Sequence, residues 1–218
     1  MRNLIIFGDS QFSERISKYI IAEGKDRLIA FTQEKQYMTR CVIDTYKVIP
    51  FEDLSSLKED FEIILGVGYS NMNTLRSAIY NLIKSTGYKV GTYTSTHAIC
   101  YSDDIGEGTF ICPGAVVGPG CRIGIANYIA SCAVLSHDNQ IGNFNFISTS
   151  AVFGGFAKVE DRCFFGLNTT VKDNVTVASE NLIGSAANVI KSISYRGGVY
   201  IGNPVQILSD KNLNTIEI

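Results

Sequence analysis

Leu135-Ser136-His137-Asp138-Asn139-Gln140-Ile141-Gly142 carries one unit of the pattern that decides the fold, two large apolar residues six positions apart. The spacing holds without a miss at Ile99, Ile105, Ile111, Val117, Ile123, Ile129, Leu135, Ile141, Ile147, Phe153, Val159, Phe165, Val171, Val177, Ile183 and Val189. An α-helix repeats near 3.6 residues and a half-buried strand at 2, so neither alone produces this run. A short strand, a turn and another short strand do. If each unit forms one side of a triangular prism, three units make a coil of about 18 residues that wraps roughly five times.

Stacked coils place every third member of the series in one interior column. Ile99, Val117, Leu135, Phe153, Val171 and Val189 form the first; Ile105, Ile123, Ile141, Val159 and Val177 the second; Ile111, Ile129, Ile147, Phe165 and Ile183 the third. Two residues before each apolar position the chain is mostly small, as at Thr109, Ala115, Cys121, Ala133, Ala151, Ala157, Cys163, Thr169 and Ala187, which suits a tight corner. Glycine follows the apolar residue at Gly106, Gly118, Gly124, Gly142, Gly154, Gly166 and Gly184, where the backbone needs unusual dihedrals or close approach. A β-sandwich would let the spacing wander with loop length.

A chain of 218 residues, 45% hydrophobic with formal charge −2, can build one large or two small cores. No basic excess points to nucleic acid, and no apolar stretch reaches membrane-spanning length. The expected location is the cytoplasm. Cys41, Cys100, Cys112, Cys121, Cys132 and Cys163 include no C-x-x-C pair and fall mostly in small-residue slots, so buried thiols are expected rather than disulfides or a metal site. With His97 and His137 as the two histidines, no metal is expected, and a three-histidine carbonic-anhydrase-like centre lacks its ligands.

Residues 1–92 have a different texture. Leu4-Ile5-Ile6-Phe7 reads as a strand ending at Gly8, Phe12 to Ala22 as a helix closed by Gly24, Arg27 to Phe31 as a second strand, and Glu62 to Gly68 as a third. A helix follows from about Asn71, with Met72, Leu75, Ile79, Leu82 and Ile83 on one face and Gly87 at its end. Strand, helix, strand at this spacing predicts a small Rossmann-like α/β domain, which would cap the open end of the solenoid. The solenoid occupies 93–190. Residues 191–218 form a C-terminal extension in which Gly197-Gly198-Val199-Tyr200-Ile201-Gly202-Asn203-Pro204 reads as loop, strand and turn, with a tail from about Ser209.

The solenoid interior holds no reactive group, so chemistry belongs on an outer edge. His137 follows a column residue by two and precedes Asp138; a histidine titrates near neutrality, and an adjacent carboxylate orients its ring. One coil onward, about 4.8 Å along the axis, is Gly155, whose N–H could donate to a thioester carbonyl as charge develops there. His97 falls at the domain junction and reads as structural. Gly8-Asp9-Ser10-Gln11-Phe12-Ser13 lies where the first strand gives way to the first helix, the usual ligand position in α/β domains, and Gly68-Tyr69-Ser70-Asn71 could form the opposite wall. Without G-x-G-x-x-G a nicotinamide cofactor is poorly supported, although the helix N-terminus could face a phosphate.

These features together, ending in Gly202-Asn203-Pro204-Val205, resemble the hexapeptide-repeat sugar N- and O-acyltransferases, the group that includes bacillosamine-pathway and sialic-acid-cluster acetyltransferases. The resemblance implies a left-handed parallel β-helix, a homotrimer, acetyl-CoA in the crevice between neighbouring β-helices, and a nucleotide-linked amino sugar held by the N-terminal domain. It makes His137 the general base and Asp138 its partner, sets Gly155 against the acetyl carbonyl, and lays Gly184, Ser185, Gly202 and Pro204 along the coenzyme. Phe146 stands where relatives carry a second histidine near the cofactor, and Ala130 where they carry asparagine. Gly8, Asp9, Ser10, Gln11, Thr32, Gly68, Tyr69 and Asn71 fall at the acceptor site. Gly68-Tyr69-Ser70-Asn71-Met72-Asn73 is similar to a subgroup of sugar O-acyltransferases, so hydroxyl acylation is an alternative, as is a non-catalytic binding scaffold.

Overall fold

The computed structural model describes residues 1–208. The tail expected from Ser209 lies outside them. Strands β1 (Asn3–Phe7), β2 (Arg27–Gln33), β3 (Val42–Ile43), β4 (Tyr46–Pro50) and β5 (Glu62–Leu65) form one sheet in the order β3-β4-β2-β1-β5, parallel except for the β3–β4 hairpin. Helix α1 (Gln11–Glu23) starts at Ser10, whose hydroxyl accepts from the Phe12 and Ser13 amides, and stops at Gly24 with φ 62°.

The hairpin was not legible in the sequence. Its strands are short, and β4 ends on a proline, which demotes a strand reading. Helix α2 (Thr74–Ser85) begins later than expected because Asn71, Met72 and Asn73 all have positive φ. Its buried face is also rotated from the expected one: Arg76, Ile79, Tyr80 and Ile83 are buried, while Leu75 is exposed.

From Tyr93 to Val189 two-residue strands stack in parallel, coil upon coil, into three sheets, one of which ends in an antiparallel pair, Val199–Ile201 with Gln206–Ile207. The columns form as expected: Ile123, Ile141, Val159 and Val177 align in one sheet, Ile111, Ile129, Ile147, Phe165 and Ile183 in the second, and Val117, Leu135, Phe153, Val171 and Val189 in the third. Ile99 is the exception. The first coil is one residue short, so Cys100 pairs with Val117 and Ile99 turns outward. At the other end the spacing shortens but the solenoid persists, through a bridge of Val177 to Ile193 and a strand at Val199–Ile201 beside Leu182–Ile183.

The corner chemistry differs from expectation in one respect. The glycines after the apolar residues are there for close approach: a Cβ on Gly118 would stand 2.7 Å from the Ser136 carbonyl oxygen, and one on Gly154 2.5 Å from the Asp173 nitrogen. Positive φ occurs instead three positions before each apolar residue, at every sixth residue from Gly108 (77°) to Ala186 (56°), and most of these are not glycine. Left-handed conformation costs an ordinary residue about 1 kcal/mol. A backbone hydrogen bond to the coil below offsets it, as from Asp138 N–H to Pro119 O (2.9 Å) and Phe156 N–H to His137 O (3.1 Å).

Asn127, Asn139, Asn145 and Asn181 occupy further corner slots and are fully buried. Asn127 shows why asparagine works there: its Nδ2 donates to Gly124 O and Gly142 O, and its Oδ1 accepts from the Asn145 amide.

The α/β unit covers a side of the prism rather than its open end, where Ala98, Cys100 and Ile105 of the first coil stay only partly buried. The outward residues of one sheet, Phe110, Tyr128, Phe146, Phe164 and Leu182, are apolar and buried beneath it. Tyr128 and Phe146 stack at 4.7 Å, while Phe12 reaches Tyr128 at 5.0 Å and Tyr69 reaches Phe164 at 4.8 Å. The unit thus lies along a face of the solenoid, which burial of that aromatic row favours. Arg76 fastens it. Fully buried, its guanidinium donates to Ala126 O (2.6 Å) and Val67 O (2.7 Å), and burial lowers its pKa to about 10.

Candidate active site

Strands Val134–Leu135 and Gln140–Ile141 belong to adjacent faces of the prism, and the corner between them carries His137 and Asp138. Leu135 anchors inward and ends the strand, so His137 falls in the turn and projects outward, with its side chain 51% exposed. Asp138 has φ 57°, which turns its carboxylate back to the imidazole: His137 Nδ1 lies 2.9 Å from Asp138 Oδ2. The carboxylate accepts Nδ1–H and so selects the tautomer whose Nε2 has a free lone pair.

Two glycines make room for the pair. A Cβ on Gly120, one coil below, would collide with Asp138 Oδ1; a Cβ on Gly155, one coil above, would stand 2.5 Å from both Cε1 and Nε2 of His137. The Gly155 amide donates to no acceptor among the described residues. The Phe156 ring stands at 88° to the imidazole, with centroids 5.1 Å apart. A proton acceptor beside an amide donor at one corner is therefore assembled within a single chain.

The first loop is tied up in structure more than the sequence suggested. Gly8 has φ 121° and donates to Thr32 O at 2.7 Å. Asp9 is buried, and its carboxylate accepts from the Thr39 amide, the Thr39 hydroxyl and the Arg40 amide. Burial pushes its pKa up, yet those hydrogen bonds outweigh burial and hold it below the usual value. Asp9 is thus the strut of the loop before β3, Ser10 is the helix cap, and Thr32 is a buried residue whose hydroxyl donates to Ile49 O. Gln11 is exposed at the start of α1. Gly68 lies against the Phe12 ring, and Asn71 accepts from the Thr74 amide through its carbonyl.

Tyr69, Phe146 and Ser185, in contrast, come together. They line a cavity of about 390 Å³ between α1 and the solenoid, with Arg15, Tyr19, Tyr128, Ser148, Thr149, Phe164 and Leu167. Phe146 is accordingly remote from the His137 corner in its own chain. Gly184 donates to Tyr200 O, and Gly202 turns with φ 93° and accepts from Asn188 N–H, so the Gly202–Pro204 turn closes the last coil outside this cavity. Arg15, Tyr19 and Phe156 were not read from the sequence. Arg15 and Tyr19, one helical turn apart on α1, were the missed signal for the cavity wall.

His97 sits at the junction, 3.6 Å from Glu23, which also accepts from the Tyr93 hydroxyl and the Thr96 amide. Cys112, Cys121 and Cys163 are buried, as expected, but Cys41 and Cys132 are exposed; all are free. Cys132 takes a left-handed corner, not a small-residue slot.

This architecture, an N-terminal α/β unit laid along a left-handed parallel β-helix of hexapeptide repeats, is similar in fold to solved acetyltransferases, a GDP-perosamine N-acetyltransferase among them. No family model matches the sequence. The acetyltransferase domain of PglB from Neisseria gonorrhoeae superposes with a TM-score of 0.78 at 21% identity, over 95% of this chain and 100% of that one. Its complex with acetyl coenzyme A gives 0.79 at 22%, over 95% and 99%. PerB from Caulobacter crescentus, solved with CoA and GDP-perosamine, gives 0.73 at 19%, over 95% and 97%.

No helix among the described residues is long and apolar enough to cross a membrane.

Proposed function

We propose that the protein is an acetyl-CoA-dependent N-acetyltransferase acting on a nucleotide-linked amino sugar. The observation that carries this reading is the His137–Asp138 pair seated against Gly155 at an open corner of the prism. In the reaction the sugar amine attacks the thioester carbonyl, and His137 Nε2 takes the proton the nitrogen sheds. The Gly155 amide donates to the carbonyl oxygen as it becomes an oxyanion. The C–S bond breaks, and the proton passes to the departing thiolate. Asp138 holds the ring and stabilises the imidazolium. Structures of similar fold at low identity, solved with acetyl coenzyme A or with CoA and GDP-perosamine, support the choice of donor and acceptor class.

The active unit in this reading is a cyclic trimer. Of the three faces, one is covered by the α/β unit and one presents Arg122, Gln140, Lys158 and Thr176. The third presents Ile99, Val116, Val134 and Val152, with Ile99 52% and Val152 40% exposed, and such a face calls for a partner. His137 lies on one long edge of that face, and Ser131 and Thr149 of the cavity lie on the other. Threefold packing about the face brings one copy's His137 to the next copy's cavity, where Tyr69, Phe146 and Ser185 wait. Gly8, Gln11, Gly68 and Asn71 stay assigned to the nucleotide side of the acceptor, and Gly184, Gly202 and Pro204 to the coenzyme side.

Steady-state assay of His137→Ala with acetyl-CoA and a panel of UDP-, dTDP- and GDP-amino sugars tests the proposal. A fall in kcat of about 10²-fold or more is expected, and turnover near that of the parent removes His137 from the chemistry.

A further inference from the structure

Two of the left-handed corner residues are phenylalanines, and they differ in what surrounds them. Phe144 (φ 58°) is partly buried and meets Tyr80 of α2 ring to ring at 5.6 Å, so packing accounts for it. Phe156 (φ 61°) is 50% exposed, and its one aromatic neighbour among the described residues is the imidazole of His137. A bulky side chain suits this conformation poorly, and a half-exposed ring gains only about half of what full burial would give. Its placement is nonetheless tightly determined, because the Phe156 amide donates to the carbonyl oxygen of His137 itself. The two side chains therefore spring from stacked corners locked to each other through the backbone.

We propose that Phe156 is a positioning residue for His137. Asp138 fixes Nδ1, the Gly155 backbone abuts the Cε1–Nε2 edge, and the perpendicular Phe156 ring supplies a third contact that leaves the imidazole one orientation. Perpendicular aromatic pairs are favoured because a positive ring edge meets a negative face, so an aromatic group serves here where an aliphatic one does not. The contact is independent of function; its catalytic value rests on the reading of His137 as the general base.

The test uses the full chain with Phe156→Ala, Phe156→Leu and Phe156→Tyr. The first readout is the ¹H–¹³C spectrum of the imidazole, which needs no substrate. The Ala and Leu variants are expected to shift and broaden the His137 signals, and the Tyr variant to retain them. In the acetyl-transfer assay Phe156→Ala should lower kcat about 10-fold with KM for both substrates within about twofold, Tyr should restore it, and in a His137→Ala background Phe156→Ala should cost nothing further. Unchanged imidazole signals in Phe156→Ala overturn the proposal. So does loss of the oligomer in sedimentation with those signals intact, which makes Phe156 an interface residue only. A spectrum that responds in a protein that acetylates no amino sugar leaves the positioning contact standing and removes the transferase reading.

Discussion

Gly155→Ala is the sharpest perturbation the site offers, because it adds one carbon where the imidazole already lies. That carbon would stand 2.5 Å from Cε1 and Nε2 of His137 and 3.1 Å from Cδ2. Carbon contacts settle near 3.5 Å, so the ring must retreat by about 1 Å. Gly155 is not in the left-handed region, so alanine suits its backbone and the fold has no reason to yield. Displacing a reacting group by about 1 Å costs on the order of 10²-fold in rate, or about 2.7 kcal/mol of transition-state stabilisation. Unfolding free energy should stay within about 1 kcal/mol of the parent. Steady-state release of CoA thiol, alongside urea unfolding of the same preparations, measures both. A variant with parental kcat, or one whose loss of rate merely tracks a loss of stability, refutes the placement of Gly155 and His137 as one catalytic corner.

Val152→Glu puts a charge in the middle of the exposed apolar face and should yield a monomer by sedimentation, with unchanged circular dichroism and no acetyl transfer. An intact trimer would mean that another face carries the contact. Arg76→Met strips the donors from the Ala126 and Val67 carbonyls, and urea unfolding should show a loss of about 2–3 kcal/mol; parental stability would show the buried cation to be dispensable. Glu180 accepts from Arg196 and Arg162, which hold its pKa down to about 2. A depressed folded-state pKa means that the unfolded chain binds the extra proton first as pH falls below the ordinary 4.5, so the stabilisation is present above that pH and fades toward 2. Glu180→Gln should accordingly be less stable than the parent at neutral pH, with the gap closing across that window; a gap independent of pH would assign the effect to packing.

The hexapeptide series, the α/β start and the His137–Asp138 dipeptide were all legible in the chain. Each rests on local spacing: a residue every sixth position must face the axis of a three-sided coil, and the residue two beyond it falls in the turn, past the strand's end, at an outer corner. Adding the coil length to position 137 gives Gly155, so even that contact follows from the repeat. Spacing fails where the coil length changes, and it failed at Ile99 for that reason. It also says nothing about which outward face is covered. Phe110, Tyr128, Phe146 and Phe164, one coil apart, differ from the polar Arg122, Gln140, Lys158 and Thr176 of another face and so mark a covered side, but that the α/β unit is what covers it is seen only in the fold. Asp9 and Ser10 read as ligand groups because they follow a strand, yet only folding reveals the loop amides and helix end that claim their oxygens. Phe156 belongs with these, since its meaning depends on a neighbour in the adjacent coil. A repeat dictates position within its own period; which side chains are spare once every long-range partner is in place is decided by tertiary contact alone.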